Sequence, residues 1–213
     1  MGNSRLDSVT ATASSWFANG TTLDHWNHTL QGGFCATGNR YYLGAAGRLN
    51  LTTNGQTANC AEITSPFLSG PGTYEGSIYL WPAPNGGVAD WPAFWLSGPF
   101  WPRHGEIDIA EGLGGSICAT YHYNANGPTG SFSPTSTSPQ CSKIMVPGWH
   151  YFKVVWKAGS LVFFYDGKQA ASITGSFVQA FPMNVLLDET EGRFGNQPGV
   201  PSDMRINWVR YAP

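Results

Sequence analysis

The sequence predicts an all-β sandwich in a single domain over residues 1–213, and three observations predict it. Charged side chains are scarce: 11 Lys and Arg and 13 Asp and Glu make 11% of the chain, against roughly 25% in an ordinary soluble domain. Exposed helix faces are built largely from Lys, Glu and Arg, so little is available to build them. Next, 27 Gly and 15 Pro break the chain into short stretches, and no run of ten residues keeps a helical period. Finally, the remaining stretches alternate with period two, and many short strands at such spacing pack as a sandwich or jelly roll.

In YEGSIYLW (74–81) Gly76, Ile78 and Leu80 alternate with Glu75, Ser77, Tyr79 and Trp81, which gives a strand two unlike faces. HGEIDIAEG (104–112) alternates Glu106 and Asp108 with Ile107 and Ile109. NANGPTGSFSPTSTSPQ (124–140) is dense in Gly, Pro, Asn and Ser and reads as a long loop. HYFKVVWK (150–157) sets Phe152, Val154 and Trp156 against Tyr151, Lys153 and Val155. LVFFYDGKQAASI (161–173) carries Asp166-Gly167 between two strand-like runs, the strongest short hairpin signal. MRINWVRY (204–211) closes the chain as a strand. Trp149, Trp156 and Trp208 lie in strands without neighbouring acids and are expected in the core.

A net charge of −2 leaves no basic face to displace phosphate counterions, so nucleic acid is not an expected partner. No run of 18 apolar residues occurs, and no membrane helix is expected. MGNSRLDS (1–8) lacks the apolar core of a signal peptide, and Leu6 stands where a myristoylation motif needs Ser or Thr. Met1 is therefore read as an initiator ahead of a mature chain. Cys35, Cys60, Cys118 and Cys141 show no C-x-x-C spacing and suggest two disulfides, with three pairings open. The favoured pairs, Cys35–Cys60 and Cys118–Cys141, each close a loop-rich excursion and would contribute about 3 kcal/mol. Four buried free thiols are the alternative. Sequons at Asn19, Asn27 and Asn50 fit a secreted, extracellular chain.

Three of the 13 acids fall within six positions: Glu106, Asp108 and Glu111. Strict alternation would place Glu106 and Asp108 on one face and turn Glu111 to the other. One extra residue, a β-bulge near Ile109-Ala110, returns Glu111 to the acidic face, and bulges are common beside active sites. Glu106 and Glu111 then stand about four pleat steps apart, ~13 Å between Cα atoms. Side chains leaning together bring the carboxyls to roughly 5–6 Å, the range of retaining glycosidases. Asp108 between them would raise a neighbour's pKa by like charge, leaving one Glu ionised and the other protonated. A solvated polar face and oxygen ligation of Ca2+ are the plainer alternatives. Trp91, Trp95 and Trp101 stand just ahead of the acids, where indoles can stack on the apolar faces of sugar rings.

The string E-I-D-I-A-E behind WPAFWLSGPFWPRHG (91–105) resembles glycoside hydrolase family 16, in its bulged E-x-D-x-x-E branch that includes the laminarinases. GWHYFKVVWKAGSLVFFYDG (148–167) is similar to the family's F-H-x-Y-x-V-x-W and F-Y-V-D-G strands, and MRINWVRY to its closing strand. ITSPF (63–67) and TYEGSIYL (73–80) are similar to the strands that precede its Trp-rich segment. The resemblance covers residues 60–211. It implies a concanavalin-like β-jelly roll with a substrate cleft on its concave face. It also implies endo-acting, retaining hydrolysis of a β-linked polysaccharide, as in a laminarinase-like endo-β-1,3-glucanase.

Position by position, Glu106 matches the nucleophile, Glu111 the acid/base and Asp108 the assisting carboxylate. Trp95 and Trp101 match the aromatics of the glycone subsites, and His122 a histidine on the strand beside the acids. This reading requires no cofactor or catalytic metal, although a structural Ca2+ is compatible with it. The expected partner is the polysaccharide, and the expected state a secreted monomer. Mixed-linkage glucan or β-galactan hydrolysis, transglycosylation and a non-catalytic glycan-binding sandwich are the alternatives.

Three positions depart from the family pattern. Ser77 stands where E-A-R-I carries Arg, although Glu75 is retained, so a ligand contact or a structural ion pair is expected to be missing. LLDETEGRFG (186–195) replaces N-L-A-V-G-G and introduces Asp188, Glu189 and Glu191, which could line the cleft, bind a cation or face solvent. Asn207 replaces an Asp of the closing strand.

Overall fold

The computed structural model describes residues 14–16, 41–44, 48–55, 60–142, 147–191, 194, 196 and 201–213. None of these residues is helical. The strands, in chain order, are β1 (Ser14–Trp16), β2 (Tyr41–Leu43), β3 (Leu49–Thr52), β4 (Cys60–Thr64), β5 (Gly72–Leu80), β6 (Trp91–Ser97), β7 (Glu106–Leu113) and β8 (Ser116–Asn124). They continue with β9 (Pro134–Ser136), β10 (Gln140–Cys141), β11 (Gly148–Lys157), β12 (Ser160–Tyr165), β13 (Lys168–Thr174), β14 (Asn184–Thr190) and β15 (Asp203–Ala212). They form two antiparallel sheets. The back sheet runs β13-β12-β11-β5-β15-β3-β2, with β1 also on β15. The second, the cleft sheet, runs β10-β8-β7-β6-β14-β4, with β9 also on β8.

Alternation explains how the sheets bind one another. The back sheet sends Tyr74, Ile78, Phe152, Val154, Trp156, Leu161 and Phe163 inward, and the cleft sheet answers with Phe94, Leu96, Ile107, Ile109, Val185 and Leu187. Each large side chain so buried contributes about 1.5–3 kcal/mol of transfer free energy. The Asp166-Gly167 turn forms as expected: both residues have positive φ (49° and 77°), the requirement of a type I′ hairpin.

Several expectations need correction. The 124–140 segment is not all loop, because β9 and β10 within it extend the cleft sheet beyond β8. Short edge strands are held by backbone pairing, so their polar side chains gave no alternation to read. Trp156 is buried and its indole donates to the Gln179 carbonyl at 2.9 Å. Trp149, however, is 42% exposed, out of phase with Trp156 on β11. Trp208 is half-buried, because a register shift between Ile206 and Trp208 turns its side chain away from the core. Asn50 is buried in β3 and its amide donates to the Arg48 carbonyl, so that sequon offers no accessible glycan acceptor. Asn19 and Asn27 lie outside the described residues.

Cys118 and Cys141 form a disulfide joining β8 to β10. Cys60 is also disulfide-bonded, and Cys35 lies outside the described residues. The retained Glu75 is ion-paired: β5 belongs to the back sheet, where the Arg210 guanidinium of β15 grips its carboxylate. No helix among the described residues is long and apolar enough to cross a membrane.

Candidate active site

The outward face of the cleft sheet carries a groove of about 960 Å³, lined among others by Glu106, Asp108, Glu111, Trp91, Trp95, Trp101 and His122. All seven residues singled out in the sequence thus meet in one place. Gly105 leads into β7 with φ +85°, and a Cβ there would meet the Tyr121 hydroxyl oxygen at 2.6 Å. Only glycine lets the turn enter the strand so close beneath Glu106.

The bulge falls where the acids require it. Against β8, Asp108 pairs with Thr120 and Glu111 with Cys118, three residues of β7 advancing against two of its partner. Against β6 the shift lies between Phe94, opposite Ala110, and Trp95, opposite Asp108. Ile107 and Ile109 stay in the core while all three acids face the groove. Such a bulge leaves backbone groups without ladder partners. Here the Tyr165 hydroxyl crosses from β12 of the back sheet and donates to the Ile109 carbonyl at 2.9 Å. No pattern around the acids announced this contact, because it depends on which strand lies beneath the bulge.

The three tryptophans do more than line the groove. Trp91 donates its indole N–H to Glu111 Oε1 at 2.9 Å, and Trp95 donates to Asp188 Oδ1 at 2.5 Å. Trp101 lines the groove with Glu106 and helps to hold its carboxyl down. The Trp91 and Trp95 indole edges therefore each orient one acid. His122, opposite Glu106 in the β7–β8 register, places Nε2 3.6 Å from Glu106 Oε1 and 3.3 Å from Asp108 Oδ2. Asp108 Oδ2 and the hydroxyl of its neighbour Thr120 are buried without hydrogen-bond partners, and both residues line the groove. Among the described residues, Glu106, Asp108 and His122 form the one set of three acid or imidazole donors close enough to hold a metal ion.

Burial raises all three carboxyls, which corrects the expectation that like charge alone would separate them. The Glu106 carboxyl is pushed up to about 8 by burial and then by Asp108, against the pull of His122. Burial lifts Asp108 well above the carboxylate range, with Glu111 and Asp188 adding repulsion. Glu111 is raised by burial and held back by the Trp91 hydrogen bond and by His122. Asp108 is the most deeply buried of the three, and burial favours its neutral form. Once it is neutral, its repulsion of Glu106 is gone.

The second acidic stretch divides by alternation on β14. Asp188 lines the groove with Glu62, its partner across the β14–β4 ladder, a residue that no sequence motif singled out. Glu189 and Glu191 do not face solvent. The Ser202 hydroxyl lies within hydrogen-bond distance of both Glu189 (2.9 Å) and Asp90 (2.6 Å). One hydroxyl carries one proton, so one of these acids must be protonated, in keeping with the upward push of burial on both.

A sandwich that gathers two glutamates and an aspartate on one bulged strand beneath indole rings has the parts of a two-carboxylate glycosidase. The chain belongs to the glycosyl hydrolases family 16, whose sequence model matches residues 27–210. An endo-1,3(4)-beta-glucanase of Emericella nidulans is 40% identical over 72 residues, 34% of this chain and 11% of that protein. The endo-1,3-1,4-beta-glycanase ExsH of Rhizobium meliloti is 28% identical over 129 residues, 56% of this chain and 26% of its own length. The chain thus spans about a tenth to a quarter of the length of these curated relatives. Among solved structures, the laminarinase catalytic domain of Thermotoga maritima superposes with a TM-score of 0.71 at 18% identity, covering 93% of this chain and 96% of that one. The Bacillus licheniformis beta-glucanase gives 0.71 at 18%, covering 96% and 99%. Both share the fold.

Proposed function

We propose that the chain is a retaining, endo-acting β-glucanase that cleaves β-1,3-linked glucose polymers. The observation that carries this reading is the bulge that turns Glu106 and Glu111 to one groove with Asp108 between them. Glu106, as carboxylate, attacks the anomeric carbon while the Glu111 O–H protonates the departing glycosidic oxygen. The glycosyl-enzyme ester is then opened by a water whose proton passes to the Glu111 carboxylate, which restores both groups. When Asp108 is protonated it spares Glu106 a like charge, and the His122 imidazole 3.6 Å away supports the Glu106 anion. Carboxyl groups and water supply every proton and bond in this cycle.

The β-1,3 assignment is supported by the activities named for the Emericella and Thermotoga proteins. The Cys118–Cys141 disulfide supports an extracellular setting, where such bonds persist. The test is Glu106→Gln: reducing-sugar release from laminarin should vanish while binding of laminari-oligosaccharides remains measurable by calorimetry. Wild-type turnover in that variant would overturn the assignment. A chemically rescued Glu111→Ala enzyme should lose the alkaline limb of the pH profile.

A further inference from the structure

Trp95 is flanked on β14 by Leu186 and on β7 by Asp108. Its indole N–H nevertheless passes Leu186 and reaches Asp188, two residues along β14. Asp188 takes that bond on Oδ1 and the Thr190 hydroxyl on Oδ2, at 2.9 Å. Glu62 stands opposite on β4, and Asp188, although it lines the groove, is only 8% exposed, so little of its carboxyl meets water. In such surroundings an indole N–H that loses its acceptor has no ready substitute. An indole has two torsions, and one bond at its edge fixes the direction of its face. A ring can serve as a stacking platform for a sugar only while its face is held toward the groove. Asp188 lies off the catalytic strand, in the stretch that replaces the family's N-L-A-V-G-G.

We propose that Asp188 is a positioning residue: it clamps the edge of the Trp95 indole so that the ring face forms one sugar-stacking subsite, and it thereby governs substrate affinity rather than bond cleavage. This inference rests on the glucanase reading above. The direct test compares laminarin kinetics of wild type, Asp188→Leu, Asp188→Asn, Trp95→Phe and the Trp95→Phe/Asp188→Leu pair, each checked for folding by thermal melting. Asp188→Leu should raise KM about tenfold, equivalent to about 1.4 kcal/mol, and change kcat by less than threefold. Asp188→Asn keeps an acceptor oxygen and should stay within about twofold of wild type. In the Trp95→Phe background, which has no N–H to clamp, Asp188→Leu should add almost nothing.

An unchanged KM in Asp188→Leu, or an equal rise in both backgrounds, would overturn the clamp. If the wild type releases no sugar from any β-glucan, the functional reading fails separately. The clamp is then read from acrylamide quenching of tryptophan fluorescence. Stronger quenching in Asp188→Leu than in Asp188→Asn supports it, and equal quenching overturns it.

Discussion

On the back sheet, several charged side chains turned away from the core have an opposite charge or an aromatic ring beside them. Arg210 holds Glu75, Arg205 holds Asp203, Arg48 lies 5.1 Å over Trp149, and Lys153 lies 4.4 Å over Phe164. On the cleft sheet, Glu62, Glu106, Asp108, Glu111 and Asp188 share one groove, and no Lys or Arg is among the described residues that line it. Both sheets follow the same alternation and bury similar side chains between them. The difference lies in what each does with the few charges available. The exposed contacts among these are worth about 0.2–1 kcal/mol each, while Arg210 also satisfies a Glu75 carboxylate that is buried. Buried acids without cations carry raised pKa values, the mark of groups held ready for proton work.

The comparison can be broken most forcefully at Glu106 against Glu75. Glu106→Gln should lower kcat on laminarin by about 10³-fold or more, whereas Glu75→Gln should leave the kcat of folded enzyme within a factor of about two. A next, smaller effect is expected at the contact joining the sheets. Tyr165→Phe removes the donor to the Ile109 carbonyl and should cost about 1–2 kcal/mol in denaturant melts, together with a fall in kcat, since the bulge is no longer held. Arg210→Met on the back sheet leaves the buried Glu75 carboxylate without its partner and should lower stability by about 1–3 kcal/mol, with KM unchanged.

The smallest effects concern pH. Loss of His122, as His122→Asn, removes a group that pulls the Glu106 carboxyl down, so the acidic limb of kcat/KM should move to higher pH. Stability should respond as well. Burial, with Asp108 charged beside it, pushes the Glu106 carboxyl up to about 8 in the folded chain, from near 4.3 unfolded. Between those values the folded state holds the extra proton, and stability falls as pH rises. The Tm of Glu106→Gln should therefore decline less between pH 5 and 8 than that of wild type. Equal slopes would show that the burial of Glu106 has little energetic consequence.

Local pattern carried much of this architecture. Alternation in 150–157, the Asp166-Gly167 turn and the spacing of Glu106, Asp108 and Glu111 are read within a few residues, because strand pleat and bulge are local geometry. What escaped the sequence is what only distant pairing decides. Glu62 and Glu75 both sit in strands, yet one joins the groove and the other an ion pair, because β4 and β5 enter different sheets. Trp149 was misplaced although its parity with Trp156 on β11 already set it on the opposite face. Likewise, the pairing of the Trp91 and Trp95 indole edges with Glu111 and Asp188 needs three strands in register, and no motif records that.

The Tyr165 bond has a wider consequence. The oxygen that steadies the bulge belongs to a side chain rooted in the opposite layer, itself buried among core residues. The spacing of the two layers thereby becomes a catalytic dimension, as surely as the spacing of the acids themselves. A core substitution that lets the layers drift, such as Phe163→Ala beside Tyr165 on β12, would release the bulge while both sheets remained intact. Turnover would then be lost at temperatures where the circular dichroism of the strands is still native.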